Sequence, residues 1–457
     1  MSRETFVFTS ATLRSLRLQQ ELLDWDQERR ALARRHRAWK RGIRDSQRSD
    51  PPPQPEPQYC RDAAVHNALF TGDLLKIKSI FRDRAMVNVI VEVASDELVW
   101  SSELGLWTLS PKAKQTSALR ITAGRGYTAC TKQLLTEGAN VSASPGGQCA
   151  LHDATAGGHA DCVQLLLTYG ADPDVLSDDG RAPLHLCSTL ETYQCARLLL
   201  EHGAKVNVPT KDTQATPLHV AATHGLEEHV KLYLHCGANV SIRNREGETP
   251  LNVACASAEK SDDSGRYYRV VRKLLENGAD AKVAGRKKHS PLHNACANCN
   301  FRIVELLLAY GAPVNDTNYA GHTPLDCALQ TLDDYATCWP EGIVRTLLNH
   351  GAFPPRPQAL RLCVCSPATM EVVLNCYQSV PNVESWMDLV PAPLWQEHHT
   401  FYSSVLRMVV QPRRLQHLAR CALRHHLGSL CHHTLPRLGL PPSLLNFVLL
   451  KNEGRIE

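Results

Sequence analysis

Apolar and polar positions along this chain alternate in two short blocks, and the pair of blocks then repeats. In "CALHDATAGGHADCVQLLLTYGAD", from Cys149, a first block carries small residues and a second carries Leu165, Leu166 and Leu167. The same order returns in "APLHLCSTLETYQCARLLLEHGAK" from Ala182, "TPLHVAATHGLEEHVKLYLHCGAN" from Thr216 and "SPLHNACANCNFRIVELLLAYGAP" from Ser290. Shorter openings, "TPLNVACASAEK" and "TPLDCALQ", begin at Thr249 and Thr323. The motif leucines Leu151, Leu184, Leu218, Leu251, Leu292 and Leu325 are spaced by 33, 34, 33, 41 and 33 residues. Each unit predicts two helices: a narrow first one with small side chains, and a second with larger apolar ones. Proline at the second motif position suits a first helical turn, where its missing N–H costs little. The Gly-Ala pairs beginning at Gly138, Gly170, Gly203, Gly237, Gly278, Gly311 and Gly351 close the second helix. Glycine there supplies the left-handed backbone of a C-cap. No unit can bury its apolar face alone, so neighbours must stack.

The array extends beyond its clearest members. "SALRITAGRGYTACTKQLLTEGAN" from Ser117 is a weaker unit, and "AAVHNALFTGDLLKIKSIF" from Ala63 is a degenerate first one. Ala359 to Tyr377 is a candidate last unit, giving about eight in all. Three inserts, at Val89–Gln115, Ala256–Arg269 and Leu332–Glu341, are expected as loops. Period, start motif and end motif together resemble the ankyrin repeat. The resemblance implies an all-α ankyrin-repeat solenoid. It also implies a structural role for His152, His185, His219 and His293, which share one repeat position and should bond locally to fix each turn. Turn tips between a Gly-Ala end and the next Pro-Leu-His start are where such arrays hold partners. Two successive tips are basic, with Arg243 and Arg245, then Arg286, Lys287 and Lys288. They are candidates for an acidic or phosphorylated substrate protein, against plain solvation of exposed tips.

Both ends differ from the middle. Ser10 to Arg44 predicts a helix with Leu13, Leu16, Leu22 and Leu23 at apolar positions, basic and free of acids from Arg29 onward. Its readings are nuclear import, an anionic membrane surface, calmodulin, or simply a solvated helix. "DPPPQPEPQ" follows as a polar linker. After the repeats come "LWQEHHTFYSSVLRMV" from Leu394, "RRLQHLARCALRHHL" from Arg413 and "LPRLGLPPSLLNFVLL" from Leu435. Leu415, Leu418, Ala422 and Leu423 form a helix stripe.

Composition narrows the class. The chain has 457 residues, 43% hydrophobic and 21% charged, as in folded soluble proteins. A net charge of +4 argues against nucleic-acid binding by the chain as a whole. No apolar run approaches the ~18 residues of a membrane span. "MSRETFVFTS" lacks the long apolar core of a secretory signal, so the 17 cysteines are expected as reduced thiols. A cytoplasmic location follows, with nuclear entry as the alternative.

The C-terminal piece resembles a SOCS box, the helical module that docks elongin B/C and a cullin. Its elongin motif, Leu-x-x-x-Cys-x-x-x-aliphatic, falls on Leu415, Ala419 and Leu423, with Leu418 beside it and alanine replacing cysteine. The Leu-Pro-x-Pro of the cullin-5 type falls on Leu438, Gly439, Leu440 and Pro441, with glycine replacing the first proline. The rival reading is that these helices only cap the solenoid. Array and box together resemble the ankyrin repeat and SOCS box proteins, from about Asp62 to the end. The implied layout is a basic extension and linker at 1–58, repeats at 59–353, a helical connector or degenerate repeat at 354–410, and the box at 411–457.

Chemistry of its own is not legible. Gly-x-x-x-x-Gly-Lys-Ser/Thr, His-Glu-x-x-His, Gly-x-Ser-x-Gly and RING-spaced ligand pairs are absent from the sequence. The spacing of His293, Cys296 and Cys299 is best read as repeat grammar rather than a metal site, and "CALRHHLGSLCHH" from Cys421 fits no four-ligand pattern. No metal and no cofactor are expected. The resemblance implies a non-catalytic substrate receptor that recruits elongin B/C and cullin-5 with its RING partner. A pure interaction scaffold with no ligase link is the alternative.

Overall fold

The structure, a computed structural model, describes residues 59–82, 84–101, 106–258, 264–285, 287–332, 340–379 and 389–451. The N-terminal helix and linker read from the sequence, and Arg286, lie outside the described residues.

Nine helix pairs stack along the described residues. They open with Ala63–Thr71 and Leu74–Ile80, and continue with Ala118–Gly124 and Thr128–Thr136, then Ala150–Ala156 and Ala160–Thr168. Pro183–Leu186 and Tyr193–Glu201 come next, then Pro217–Thr223 and Glu227–His235, and Pro250–Ala256 and Ser264–Glu276. Pro291–Ala297 and Phe301–Ala309, Pro324–Gln330 and Pro340–Asn349, and Pro357–Cys363 and Pro367–Leu374 complete the stack. Two first members, Pro183–Leu186 and Pro357–Cys363, are 3-10 rather than α. The former is followed by a second 3-10 turn, Leu190–Thr192. Hydroxyl side chains offer the backbone competing bonds, and Thr192 Oγ1 donates to the Thr189 carbonyl at 2.7 Å.

The repeated small and large positions make one continuous core. Leu151, Leu184, Leu218, Leu251, Leu292 and Leu325 are all buried, as are Ala154, Ala221, Ala254 and Ala295. Cysteines fill the same core as small apolar groups: Cys162, Cys195, Cys255, Cys296 and Cys363 are fully enclosed. Burial pushes the Cys195 thiol up to about 11 and that of Cys363 to about 12, so both stay protonated.

The insert between the first two helix pairs is not a loop. Ile90–Ser101 (β2) and Leu106–Ser117 (β3) form an antiparallel hairpin, and Tyr59–Cys60 (β1) pairs with β2 in parallel. Register runs from Ile90 opposite Ser117 to Trp100 opposite Trp107 and Ser101 opposite Leu106. Ile90, Val91, Val93 and Val99 in β2 are β-branched residues suited to a pleated strand.

Beyond the stack lie Ala392–Glu397 and His399–Val410, then Leu415–Leu427, Cys431–Thr434 and Pro442–Val448. The last three enclose a small separate core of Cys431, Leu435, Phe447, Val448 and Leu449.

Candidate docking surfaces

The helix Leu415–Leu427 is amphipathic the wrong way round for a capping element. Part of its polar set faces the repeats. His417, Arg420 and Cys421 are buried, with Arg424 half-buried beside them. His417 Nε2–H donates to the Tyr377 carbonyl at 2.8 Å, and its Nδ1 accepts from Arg420 Nη2 at 2.7 Å. Arg420 also bonds Asn375 Oδ1 at 2.9 Å and lies 4.3 Å from the Phe447 ring centre. Arg424 reaches the Leu348 carbonyl at 3.0 Å, Asn349 Oδ1 at 2.7 Å and the Val448 carbonyl at 2.8 Å. Arg413 donates to the Leu374 carbonyl at 2.8 Å. Leu348 and Leu374 lie in the last turns of their helices, where the helix dipole favours cations. These bonds clamp the box onto the last two helix pairs.

Four of its apolar residues face solvent. Leu415 is 84% exposed and Leu418 38%, and Ala419 and Ala422 are exposed on the same i, i+3, i+4, i+7 face. Leu423 sits elsewhere: it is half-buried against the small Cys431–Leu435–Phe447 core. The sequence had grouped it with the elongin motif, and it leaves the exposed stripe because it lies one position past Ala422.

Leu438 is exposed, Leu440 is half-buried against the small core, and Pro441 is exposed at the start of Pro442–Val448. Gly439 has φ +63° and caps Leu435–Leu438. Proline is locked near φ −65° and cannot adopt that backbone. Gly439→Pro is therefore expected to lower, not raise, cullin affinity and box stability, a point that titration of cullin into purified wild type and variant checks.

Buried histidines make the fold acid-sensitive. Desolvation pushes His417 down to about 4, assisted by neighbouring Arg413 and Arg420 and opposed by its bond to the Tyr377 carbonyl. His229, buried beside Thr192, is also pushed down to about 4. Burial likewise lowers His152, His185, His219 and His293. The unfolded chain takes up protons near the ordinary value of 6.5, before the native imidazoles do. Stability is thus full above that pH, falls as pH drops toward 4, and flattens below. Each histidine contributes at most about 1.4 kcal/mol per pH unit. Urea midpoints measured at neutral and mildly acidic pH should fall accordingly.

The repeat histidines act as the sequence implied. Nε2–H of His152 donates to the Arg181 carbonyl at 3.0 Å, His219 to Glu248 at 3.1 Å and His293 to His322 at 3.1 Å. His185 reaches the Val208 carbonyl at 2.8 Å and that of Ala215 at 3.2 Å. Each Nδ1 accepts the backbone N–H three residues earlier. His293 is thereby fully engaged, Cys296 is enclosed in the core, and Cys299 has φ +50° where earlier units have Gly126, Gly158 and Gly225. In the later cluster, Cys421 Sγ lies 3.4 Å from His417 Nε2, while Cys431 Sγ contacts the Arg424 carbonyl at 3.6 Å.

The basic tips divide into two kinds. Arg243 Nη1 donates to the carbonyls of Gly247 and Ala284, at 3.3 and 3.2 Å, and Arg245 Nη1 to that of Asp212 at 3.2 Å. Both arginines thus tie neighbouring tips together. Lys287 and Lys288 are exposed, and Lys288 Nζ lies 5.3 Å from the ring centre of Tyr319, itself 71% exposed. Tyr319 carries no motif that marks it in the sequence.

Comparison with known proteins matches both modules. The family description "Ankyrin repeats (3 copies)" matches overlapping segments from residue 102 to 357, and "SOCS box" matches 411–449. "Ankyrin repeat and SOCS box protein 16" from Homo sapiens is 51% identical over 457 residues, covering 100% of both chains. The protein of the same name from Mus musculus is 50% identical, again over 100% of both chains. "Ankyrin repeat and SOCS box protein 18" from Homo sapiens is 42% identical over 86% of this chain and 87% of its own. A stacked array bolted to an outward-facing box, matched along its whole length, places this chain in the ankyrin repeat and SOCS box protein family.

Proposed function

We propose that this chain is the substrate-recognition subunit of an elongin B/C–cullin-5 RING ubiquitin ligase, without catalytic residues of its own. Its family and its SOCS box make it a substrate-recognition adaptor of a cullin–RING ligase; elongin B/C and cullin-5 are the finer part of the proposal. The observation that carries it is the reversed helix Leu415–Leu427. A capping helix would bury its leucines and expose its cations. This one buries His417 and Arg420, half-buries Arg424 and leaves Leu415 and Leu418 in solvent. Apolar stripes of that kind on a folded surface mark a protein interface.

The work done is positional. The array holds a target, the box holds the ligase core, and the target's lysines are presented to a ubiquitin-loaded enzyme at high effective concentration. The Leu438–Pro441 segment, beside the box's small core, is the cullin-5 contact in this reading. The target is an acidic or phosphorylated protein met by the basic tips, and the site of action is the cytoplasm. Co-purification with elongin B/C, followed by titration of cullin-5 against cullin-2, tests the assignment. A folded chain that captures no elongin leaves a scaffold with no ligase link.

A further inference from the structure

One tip of the array is built differently from its neighbours. In the tips Ser177–Arg181, Asn244–Glu248 and Asn318–His322, three devices fasten the same turn. The last carbonyl accepts the N–H of the first residue, at 2.9 to 3.0 Å, and also a histidine Nε2–H from the preceding unit. The first side chain accepts the last N–H: Arg181 to Ser177 Oγ at 3.1 Å, Glu248 to Asn244 Oδ1 at 2.9 Å and His322 to Asn318 Oδ1 at 3.0 Å. The fourth position is Gly180, Gly247 or Gly321, with φ between +72° and +77°.

The tip at 285–289 keeps the backbone turn, with Gly285 N–H on the His289 carbonyl at 3.0 Å and Lys288 N–H on Gly285 at 2.9 Å. It lacks all three of the other fastenings. Gly285 has no side chain to accept a bond. Lys288 occupies the left-handed position at φ +54°, as Gln214 does at φ +53° in the tip at 210–215, and a side chain is strained there. Asn252 stands at the tethering histidine's position and is too short to cross. It is 1% exposed, and neither its Oδ1 nor its Nδ2 has a partner. Local rules broken together at one place mark a functional site more often than an accident.

The same tip carries two lysines. Among the described residues, neither Lys287 nor Lys288 has an acidic group within ion-pair distance. The nearest acid packed on the tip, Glu248, is half-buried with its chain against Gly285. Tyr319, exposed and beside Lys288, donates its backbone N–H to the Lys287 carbonyl at 3.3 Å and offers an apolar ring next to the two ammonium groups. The patch is short. Asp178, Asp179, Asp212 and Glu246 occupy the tips before it, so a long polyanion would meet like charge there.

Resting on the adaptor reading above, we propose that Lys287, Lys288 and Tyr319 form the anchor of the substrate site, and that it takes a short acidic segment of a partner polypeptide. The loosened turn lets the two ammonium groups adjust to carboxylates. The tyrosine ring covers the apolar residues between them. Arg243 and Arg245 support the tips rather than contact the target.

The test is fluorescence anisotropy on the full chain with a labelled glutamate-rich peptide, its glutamine counterpart and a phosphoserine peptide of equal charge. The glutamate peptide should bind with an affinity that falls as salt rises, and the glutamine one should not bind. Lys287→Glu with Lys288→Glu should weaken binding at least about tenfold. Lys288→Gly relieves the strained backbone, so it should raise the melting temperature and still weaken binding. Asn252→His should weaken binding, because a tether to the His289 carbonyl holds the turn in one form. Undiminished binding by the double variant overturns the proposal, as does failure of the wild type to bind the glutamate peptide. Binding of the phosphoserine peptide alone overturns it in favour of a phosphate site. All variants should capture elongin B/C at the wild-type level, so failure of the box reading would be seen separately.

Discussion

Leu415→Asp combined with Leu418→Asp is expected to lower elongin B/C affinity at least about a hundredfold while leaving the chain's melting temperature unchanged. Both halves of that result follow from exposure. Leu415 is 84% exposed and Leu418 38%, so the folded monomer gains little from either side chain. In a complex the same leucines are buried, each contributing about 1.5–3 kcal/mol. Aspartate removes that contribution and must leave water to enter an apolar groove. A loss of about 2.7 kcal/mol already gives the hundredfold change. Ala419 lies on the same exposed face. Its small apolar group leaves the contact intact, so Ala419→Cys should alter affinity far less than the double aspartate. Isothermal titration beside thermal melts reads both quantities. Unchanged affinity in the double variant would show that elongin, if bound, docks elsewhere.

The repeating core was legible because its cause is local. A leucine, a histidine and a glycine recurring at fixed distance need only their own unit and the next one to explain them. Even Cys299 could be placed at a turn position, since its neighbours in register are glycines. The hairpin of β2 and β3 was not legible, because IVEVASDELVWS and LWTLSPKAKQTS show no sustained apolar–polar alternation. Between two helical units, the stretch from Val89 to Gln115 therefore looks like a plain insert. The direction of the box helix was missed for a different reason. A stripe of Leu415, Leu418 and Ala422 defines a face, but nothing local says whether the face looks inward or out. The answer lay in the other stripe. His417, Arg420 and Arg424 fall at i, i+3 and i+7, and their partners, Tyr377, Asn375, Asn349 and Leu348, lie 40 or more residues away. Tertiary acceptors for buried cations are invisible in a single helix. The odd tip was written in the sequence too, as Asn252 for histidine and Lys288 for glycine. Only the bonds made by the other tips give those substitutions meaning.

Arg424→Ala should separate binding from function in the opposite sense to the leucine pair. It is expected to keep elongin capture, because Leu415 and Leu418 point away from the repeats. It should weaken the junction between array and box by about 3 kcal/mol. The guanidinium serves three acceptors at once, on Leu348, Asn349 and Val448. Bonds to a charged donor contribute about 1.5–3 kcal/mol each, and water can replace only part of them in a half-buried site. Asn349 also donates to the Leu449 carbonyl at 3.0 Å, so its side chain loses its fixed orientation with the arginine gone. Hydrogen exchange should then quicken in Pro340–Asn349 and Pro442–Val448 while the central repeats keep their protection. Arg424→Lys should recover only part of the loss, since an ammonium cannot span the same fork. With the box no longer held at one angle to the array, a bound target samples many positions relative to the ubiquitin-loaded enzyme. Ubiquitin transfer should fall severalfold at unchanged elongin affinity. Equal transfer rates together with faster exchange would mean that the clamp serves stability alone, and that the ligase tolerates a loose receptor.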